Sequence, residues 1–298
     1  MNNLYSTRLC LGVAALLGKL LPYKTGHALA RAIGSGLGKD RKNPMVKAIR
    51  ANQWVVHDQE LSPQTLEERP RTVFRNAARC LFDYFYYLPR PEALKKVVSF
   101  SPRAQEALER IKDNQATVVV CPHLSNFDLM GYALALNQMR VQVLSFPKPN
   151  ASYKLQNRLR EGIGIEVTPM SLSAFRQARR RLREGGSILT GLDRPLPDNL
   201  LDKYRPKFFG HETHLPVTYV RMAREAGAPV IIMAATSQPG GSYRLEGSAP
   251  IWMESAADLE TEILTNANAV LKEAEGLIRK YARQWAMFYP IWPQFLGV

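Results

Sequence analysis

The sequence predicts an α/β fold, a mainly parallel central sheet covered by helices, behind a helical N-terminal section. Two observations carry this. Thr117-Val118-Val119-Val120-Cys121 and the segment 229–236 are continuous apolar runs, the pattern of strands buried on both faces. After Ser101, strand-like and helix-like segments alternate, as they do in a parallel sheet with crossover helices. The chain divides accordingly into a helical section, 1–100, and an α/β core, 101–298.

In the first section, ten uncharged residues from Leu9 to Gly18 separate Arg8 from Lys19. A spanning helix needs about 20 apolar residues, so an interfacial helix is the first reading of this stretch. A buried helix is the second, and a signal peptide, with Ala28-Leu29-Ala30 as its cleavage site, the third. Leu29, Ile33 and Leu37 repeat at helical spacing before the glycines at 34, 36 and 38 break the pattern. From Arg71, the residues Phe74, Ala78, Leu81, Phe82, Phe85 and Leu88 share one helical face, and Pro89 and Pro91 end it. Tyr84, Tyr86 and Tyr87 suit either a lipid interface or, more commonly, the core.

The core reads as strands at 117–121, 141–146, 165–168, 187–192, 229–236 and 242–247. Helices are expected at 127–138, 152–161, 172–184, 216–226 and 256–281. On the helix at 172–184, Ala174, Ala178 and Leu182 form a narrow inner face and five arginines the outer one. The tail from Trp285 to Leu296 is strongly aromatic and either packs over the core or enters a lipid interface.

Forty Lys and Arg against 26 Asp and Glu leave a net charge of +14 in 298 residues. Such an excess attracts phospholipid headgroups, a phosphorylated substrate or nucleic acid. Hydrophobic residues at 46% exclude a disordered chain. Cys10, Cys80 and Cys121 are too few for a disulfide framework and point to a reducing compartment.

Chemistry concentrates in Cys121-Pro122-His123-Leu124-Ser125-Asn126-Phe127-Asp128. His123 falls in the turn where a buried strand ends, the edge at which open α/β sheets bind ligands. Asp128 stands in the first turn of the next helix, within reach of the imidazole across the turn. A carboxylate on one ring nitrogen fixes the tautomer and stabilises the imidazolium formed when the other nitrogen takes a proton. The competing account makes Ser125 and Asp128 helix-capping residues and His123 an ordinary turn residue.

These residues resemble a known family. His123-Leu124-Ser125-Asn126-Phe127-Asp128 is similar to the His-x-Gly-Asn-Trp-Asp/Glu signature of bacterial membrane glycolipid acyltransferases, the lipid A late acyltransferases and phosphatidylinositol mannoside acyltransferases. Phe74-Arg75-Asn76, Asp193-Arg194, Phe208-Phe209-Gly210, Gly227-Ala228-Pro229 and Gln284-Trp285 resemble further family motifs in the same order. Ser125 and Phe127 depart from the usual Gly and Trp, Tyr289 stands where many members have His, and His211-Glu212 follows Phe-Phe-Gly where relatives carry a small residue or Glu.

The resemblance implies a glycerolipid acyltransferase-like core and transfer of a fatty acyl group from acyl-CoA or acyl-carrier protein to a hydroxyl of a membrane glycolipid or lysophospholipid. His123 is then the general base and Asp128 its orienting acid. Ser125, Asn126, Asp193, Arg194 and Glu212 are assigned to substrate binding, and Lys148, Arg158 and Arg160 to phosphates of donor or headgroup. The thioester is a co-substrate, with no resident cofactor and no metal. Lipid acceptor and anionic membrane surface are the expected partners, and the cytoplasmic face of the cell membrane the expected location, peripherally or through a short N-terminal anchor.

Three other readings compete. Cys121 is a nucleophile candidate beside His123, although a buried, inert cysteine is the more frequent outcome. His211-Glu212-Thr213-His214 invites a metal but lacks the His-Glu-x-x-His spacing. The net charge alone suits a nucleic-acid- or lipid-binding protein without catalysis, yet no nucleic-acid motif accompanies it and no nucleic-acid partner is expected. An inactive scaffold that binds lipid without turnover is the last of them.

Overall fold

The computed structural model describes residues 8–147, 149, 151–196 and 203–298. A seven-stranded sheet lies at its centre. The strands are β1 (Val98–Phe100), β2 (Thr117–Cys121), β3 (Val141–Ser145), β4 (Glu166–Pro169), β5 (Ser187–Gly191), β8 (Val230–Ser237) and β9 (Tyr243–Gly247), in spatial order β1-β9-β8-β2-β5-β3-β4. All neighbouring pairs are parallel except β8 with β9, which form an antiparallel hairpin. The predicted mainly parallel α/β sheet is therefore present, with its six predicted strands placed within one or two residues. Unpredicted are β1 and a small antiparallel pair, β6 (Lys207–Phe208) and β7 (His211–Glu212), too short to show any period.

The crossover helices are α6 (Pro102–Lys112), α7 (Phe127–Leu136), α8 (Ala151–Gly162), α9 (Leu172–Arg183) and α10 (Thr218–Ala226), and α11 (Leu259–Lys280) follows the last strand. Their inner faces bury as the sequence pattern requires; on α9 these are Ala174, Ala178 and Leu182. Two of its arginines form surface pairs, Arg179 with Glu225 and Arg181 with Glu166.

Five helices precede the core: α1 (Arg8–Leu20), α2 (Tyr23–Leu37), α3 (Pro44–Val56), α4 (Pro63–Tyr87) and α5 (Pro91–Val97). The predicted aromatic helix starts eight residues earlier than its periodicity shows. Ser62 caps it and Pro70 continues it at a buried position. Tyr84 and Tyr87 are buried, so the core outcome holds for both.

On α2 the predicted stripe faces outward at Leu29 and Ile33, while Leu37 is half-buried against Met45 and Phe74. Leu29 and Ile33 are exposed, while Gly26, Ala30 and Gly34 form the face against α4. Small residues let the backbones approach closely: a Cβ on Gly34 would lie 2.5 Å from the Phe74 carbonyl oxygen. The helix is also tied down by His27, whose Nε2 lies 2.5 Å from the buried Asp83 carboxylate. Gly34→Val is expected to lower unfolding free energy by about 1–3 kcal/mol through overpacking, read from urea denaturation midpoints.

The C-terminal tail packs on the core. Trp285 and Trp292 are fully buried, and Trp292 stacks on Phe208 at 5.7 Å between ring centroids. No helix among the described residues is long and apolar enough to cross a membrane.

Candidate active site

Strand register assembles the site. Cys121 at the end of β2 pairs with Gly191 at the end of parallel β5. Two residues beyond each strand stand His123 and Asp193, which therefore meet at the carboxyl edge of the sheet. His123 Nδ1 lies 2.6 Å from Asp193 Oδ1, and the His123 backbone N–H donates to Asp193 Oδ2 at 2.9 Å. Trp285 Nε1 donates to the same Oδ2 at 2.6 Å. Asp193 is fully buried, and these three donors hold its carboxylate in one orientation. A carboxylate accepts, so Nδ1 carries the proton of that bond, and Nε2 is the ring nitrogen left for a substrate.

The turn bearing His123 is held by the tail and by its own side chains. Ala286 N–H donates to the His123 carbonyl and Ser125 N–H to the Gln284 carbonyl, each at 2.8 Å. Phe127 packs edge-on against the imidazole at 5.0 Å. Asn126, rather than Ser125, caps α7: its Oδ1 accepts from Leu129 N–H and its Nδ2 donates to the Cys80 carbonyl. Ser125 is buried at a φ of 47° with its hydroxyl 2.6 Å from that of Ser237. Neither side chain is among those that line the pocket beside His123.

The expected pairing of His123 with Asp128 is not made. The first turn of α7 aims Asp128 at α8, where Arg160 places Nε at 2.8 Å and Nη2 at 2.7 Å from Asp128 Oδ1. Arg160 also donates from Nη1 to Asn157 Oδ1 at 3.0 Å. Burial opposes the charge on this guanidinium, but Asp128 and the Tyr153 hydroxyl outweigh it, and the pKa rises further.

His123, Asp128, Arg160 and Arg194 are among the residues lining a pocket of about 1120 Å³, a volume that includes the open space at its entrance. Inside, the walls are apolar: Met130, Gly131 and Leu134 from α7, Val141 and Val143 from β3, with Ile165 and Leu189. Arg194 is clamped among aromatic rings, its Cζ 4.0 Å from the centre of Phe146 and 4.4 Å from that of Tyr289, and it donates to the Tyr289 hydroxyl at 3.0 Å. Such stacking holds a guanidinium without neutralising it.

The other sequence-predicted residues do not gather here. Arg158 is exposed on α8, and Glu212 is exposed on β7; neither lines the pocket. Lys148 lies outside the described residues. Cys121 does line the pocket, but burial pushes its thiol up to about 12, so it is no thiolate at neutral pH. His211 packs edge-on against Phe295 at 5.2 Å. Tyr153 and Phe146 also line the pocket, and isolated aromatics in a helix or after a strand carry no site signal in the sequence.

The family model described as bacterial lipid A biosynthesis acyltransferase matches residues 8–294. The chain belongs to this family. It is accordingly an enzyme that acylates lipids, and the match takes in the helical N-terminal section, ahead of Phe74 where the quoted motifs begin. Among curated proteins no relative matches the chain. Among solved structures, the acyltransferase is similar to the 1-acyl-sn-glycerophosphate (LPA) acyltransferase of Thermotoga maritima. The two share 13% identity over 87% of this chain and 98% of that one, at a TM-score of 0.38.

Proposed function

We propose that this family member moves a fatty acyl group from an acyl thioester, acyl-CoA or acyl-carrier protein, to a hydroxyl of a membrane glycolipid or lysophospholipid. The observation that supports it is the union of a carboxylate-held imidazole with a deep apolar pocket opening beside it. His123 Nε2 takes the proton of the acceptor hydroxyl as its oxygen attacks the thioester carbonyl. Asp193 keeps Nδ1 protonated and stabilises the imidazolium. The C–S bond then breaks, and the sulfur departs as a thiolate, whose free thiol has a pKa of about 8.5 and needs little acid help.

The oxyanion formed in between is met by backbone N–H groups at the start of α7. Among the described residues, those of Phe127 and Asp128 are bonded to no acceptor. Arg194, fixed by its rings, receives a phosphate of donor or headgroup at the mouth, and Arg160 is placed beside it by Asp128. The alkyl chain fills the apolar interior, where each buried methylene contributes about 0.8 kcal/mol. The thioester is the only co-reactant this chemistry requires.

The membrane is met by α1 and α2. Val13, Leu16, Leu20, Leu29 and Ile33 are exposed there. Residues 1–39 contain Arg8, Lys19, Lys24, Arg31 and Lys39 and no acidic side chain. An apolar surface framed by cations fits an anionic leaflet from the cytoplasmic side, each basic residue contributing about 1 kcal/mol. The test of the activity is incubation of the purified protein with acyl-CoA and a total bacterial lipid extract. Thiol release together with a lipid heavier by one acyl group is expected; thiol release without an acylated lipid contradicts transfer.

A further inference from the structure

Helices α1 and α2 both pack on α4 and touch one another little, which leaves a groove between them. Val13 and Leu17 of α1 form one wall, Ile33 and Leu37 of α2 the other, and Ala78 and Leu81 of α4 the floor. The hollow exists because Ala30 and Ala78 stand where longer side chains would fill it. Every described residue that lines it is apolar, and none of them borders the pocket beside His123. The two spaces are divided by α4: Ala78 and Leu81 line the groove, while Cys80 Sγ, on another side of the helix, lies 3.7 Å from Ser125 Oγ in the catalytic turn.

We infer that this groove is a second lipid site, which takes one alkyl tail of an anionic bilayer lipid as an anchor and not as a substrate. The inference rests on the membrane reading of α1 and α2. Val13 and Ile33, one on each wall, are nearly half exposed, so the groove opens onto the apolar surface that also bears Leu16 and Leu29. A tail therefore enters from the leaflet without crossing water. Along α2 the lining runs from Gly26 to Leu37, about 16 Å, which matches the hydrocarbon depth of one leaflet, half of about 30 Å. With its entrance the groove encloses about 670 Å³. A helix about 10 Å across and two turns long displaces roughly 850 Å³, so a helix of a second copy is too bulky to seat in it, whereas a single alkyl chain fits. Residues 1–39 carry five Lys and Arg and no acidic side chain, which favours an anionic headgroup at the entrance.

The experiment presents the full-length protein with vesicles of phosphatidylglycerol and phosphatidylcholine, in which a trace of one lipid or the other carries a photoreactive diazirine at the end of one tail. Irradiation and peptide mass mapping should place the phosphatidylglycerol label inside the groove, on Val13, Ile33 and Leu81. Ala78→Phe fills the floor, and Leu17→Trp fills a wall should the first variant fold poorly. Either should abolish that label and weaken vesicle binding about tenfold, the equivalent of roughly two methylenes returned to water. Turnover of detergent-dispersed substrates should stay at the wild-type level, because neither residue borders the catalytic pocket. Label confined to the outward Leu16 and Leu20, with vesicle affinity unchanged in both variants, overturns the groove and leaves the membrane reading standing. A wild-type protein that does not bind the vesicles overturns both. Equal labelling of the groove by the two lipids overturns the choice of an anionic one. An unlabelled groove, with a dimer in sedimentation that the filled variants dissociate, gives the groove to a second copy and overturns the lipid site.

Discussion

Replacing His123 by alanine should lower kcat for acyl transfer by about 10³-fold, the usual contribution of a positioned general base. KM for the donor should change little, because the alkyl chain and the cationic mouth bind it without help from the imidazole. The side chain is a quarter exposed and packs against Phe127, so the variant should fold. Thiol release with purified enzyme, alongside a thermal melt, checks both expectations. Retention of more than about a tenth of wild-type kcat would remove His123 from the chemistry.

Asp193→Asn is expected to cost a comparable factor, about 10³-fold in kcat, by a different route. Three donors converge on the carboxylate: two from His123 and one from Trp285. An amide offers one acceptor oxygen in place of two and turns an NH2 group toward one of those donors. Either the imidazole flips to the wrong tautomer or the indole is left unpaired in the interior. Asp193 does not touch substrate in this account; it positions the base. Its loss should therefore appear in kcat, with KM for donor and acceptor within a few-fold of wild type. Trp285→Phe, which removes a single donor, should give a smaller loss in the same parameter.

How far the sequence discloses this site depends on which contacts are local. The run Thr117–Cys121 declares a buried strand, because β-branched residues without alternation suit a strand covered on both sides. That alone places His123 at the sheet edge. Its partner is another matter. Asp128 is five residues away and looks suitable; Asp193 is seventy residues away and reaches the imidazole through the register of β2 on β5. Which strands lie side by side is a tertiary fact that no local pattern encodes. The family resemblance marks the Asp193-Arg194 pair, but as a substrate contact and not as the support of the histidine.

The N-terminal section shows the same limit. The leucine stripe of α2 has the period of a core-facing helix, yet close approach to α4 demands the glycine face, and Leu29 and Ile33 turn outward. Small residues mark helix contact where large ones mark exposure, the reverse of the usual amphipathic rule. Arg160 illustrates a third case: its basic character points to a phosphate ligand, and the carboxylate that holds it in place becomes visible only when α7 and α8 are brought together.

In the proposed mechanism Asp193, and not Asp128, orients the imidazole of His123. The most direct test compares kcat for thiol release, at saturating donor and acceptor, in Asp193→Asn and Asp128→Asn. A loss of about 10³-fold is expected for the first. For the second, kcat within about tenfold of wild type and a raised KM are expected, because Arg160 loses its partner at the mouth while the base stays in place. A near-normal kcat in Asp193→Asn with a collapsed kcat in Asp128→Asn would contradict that mechanism.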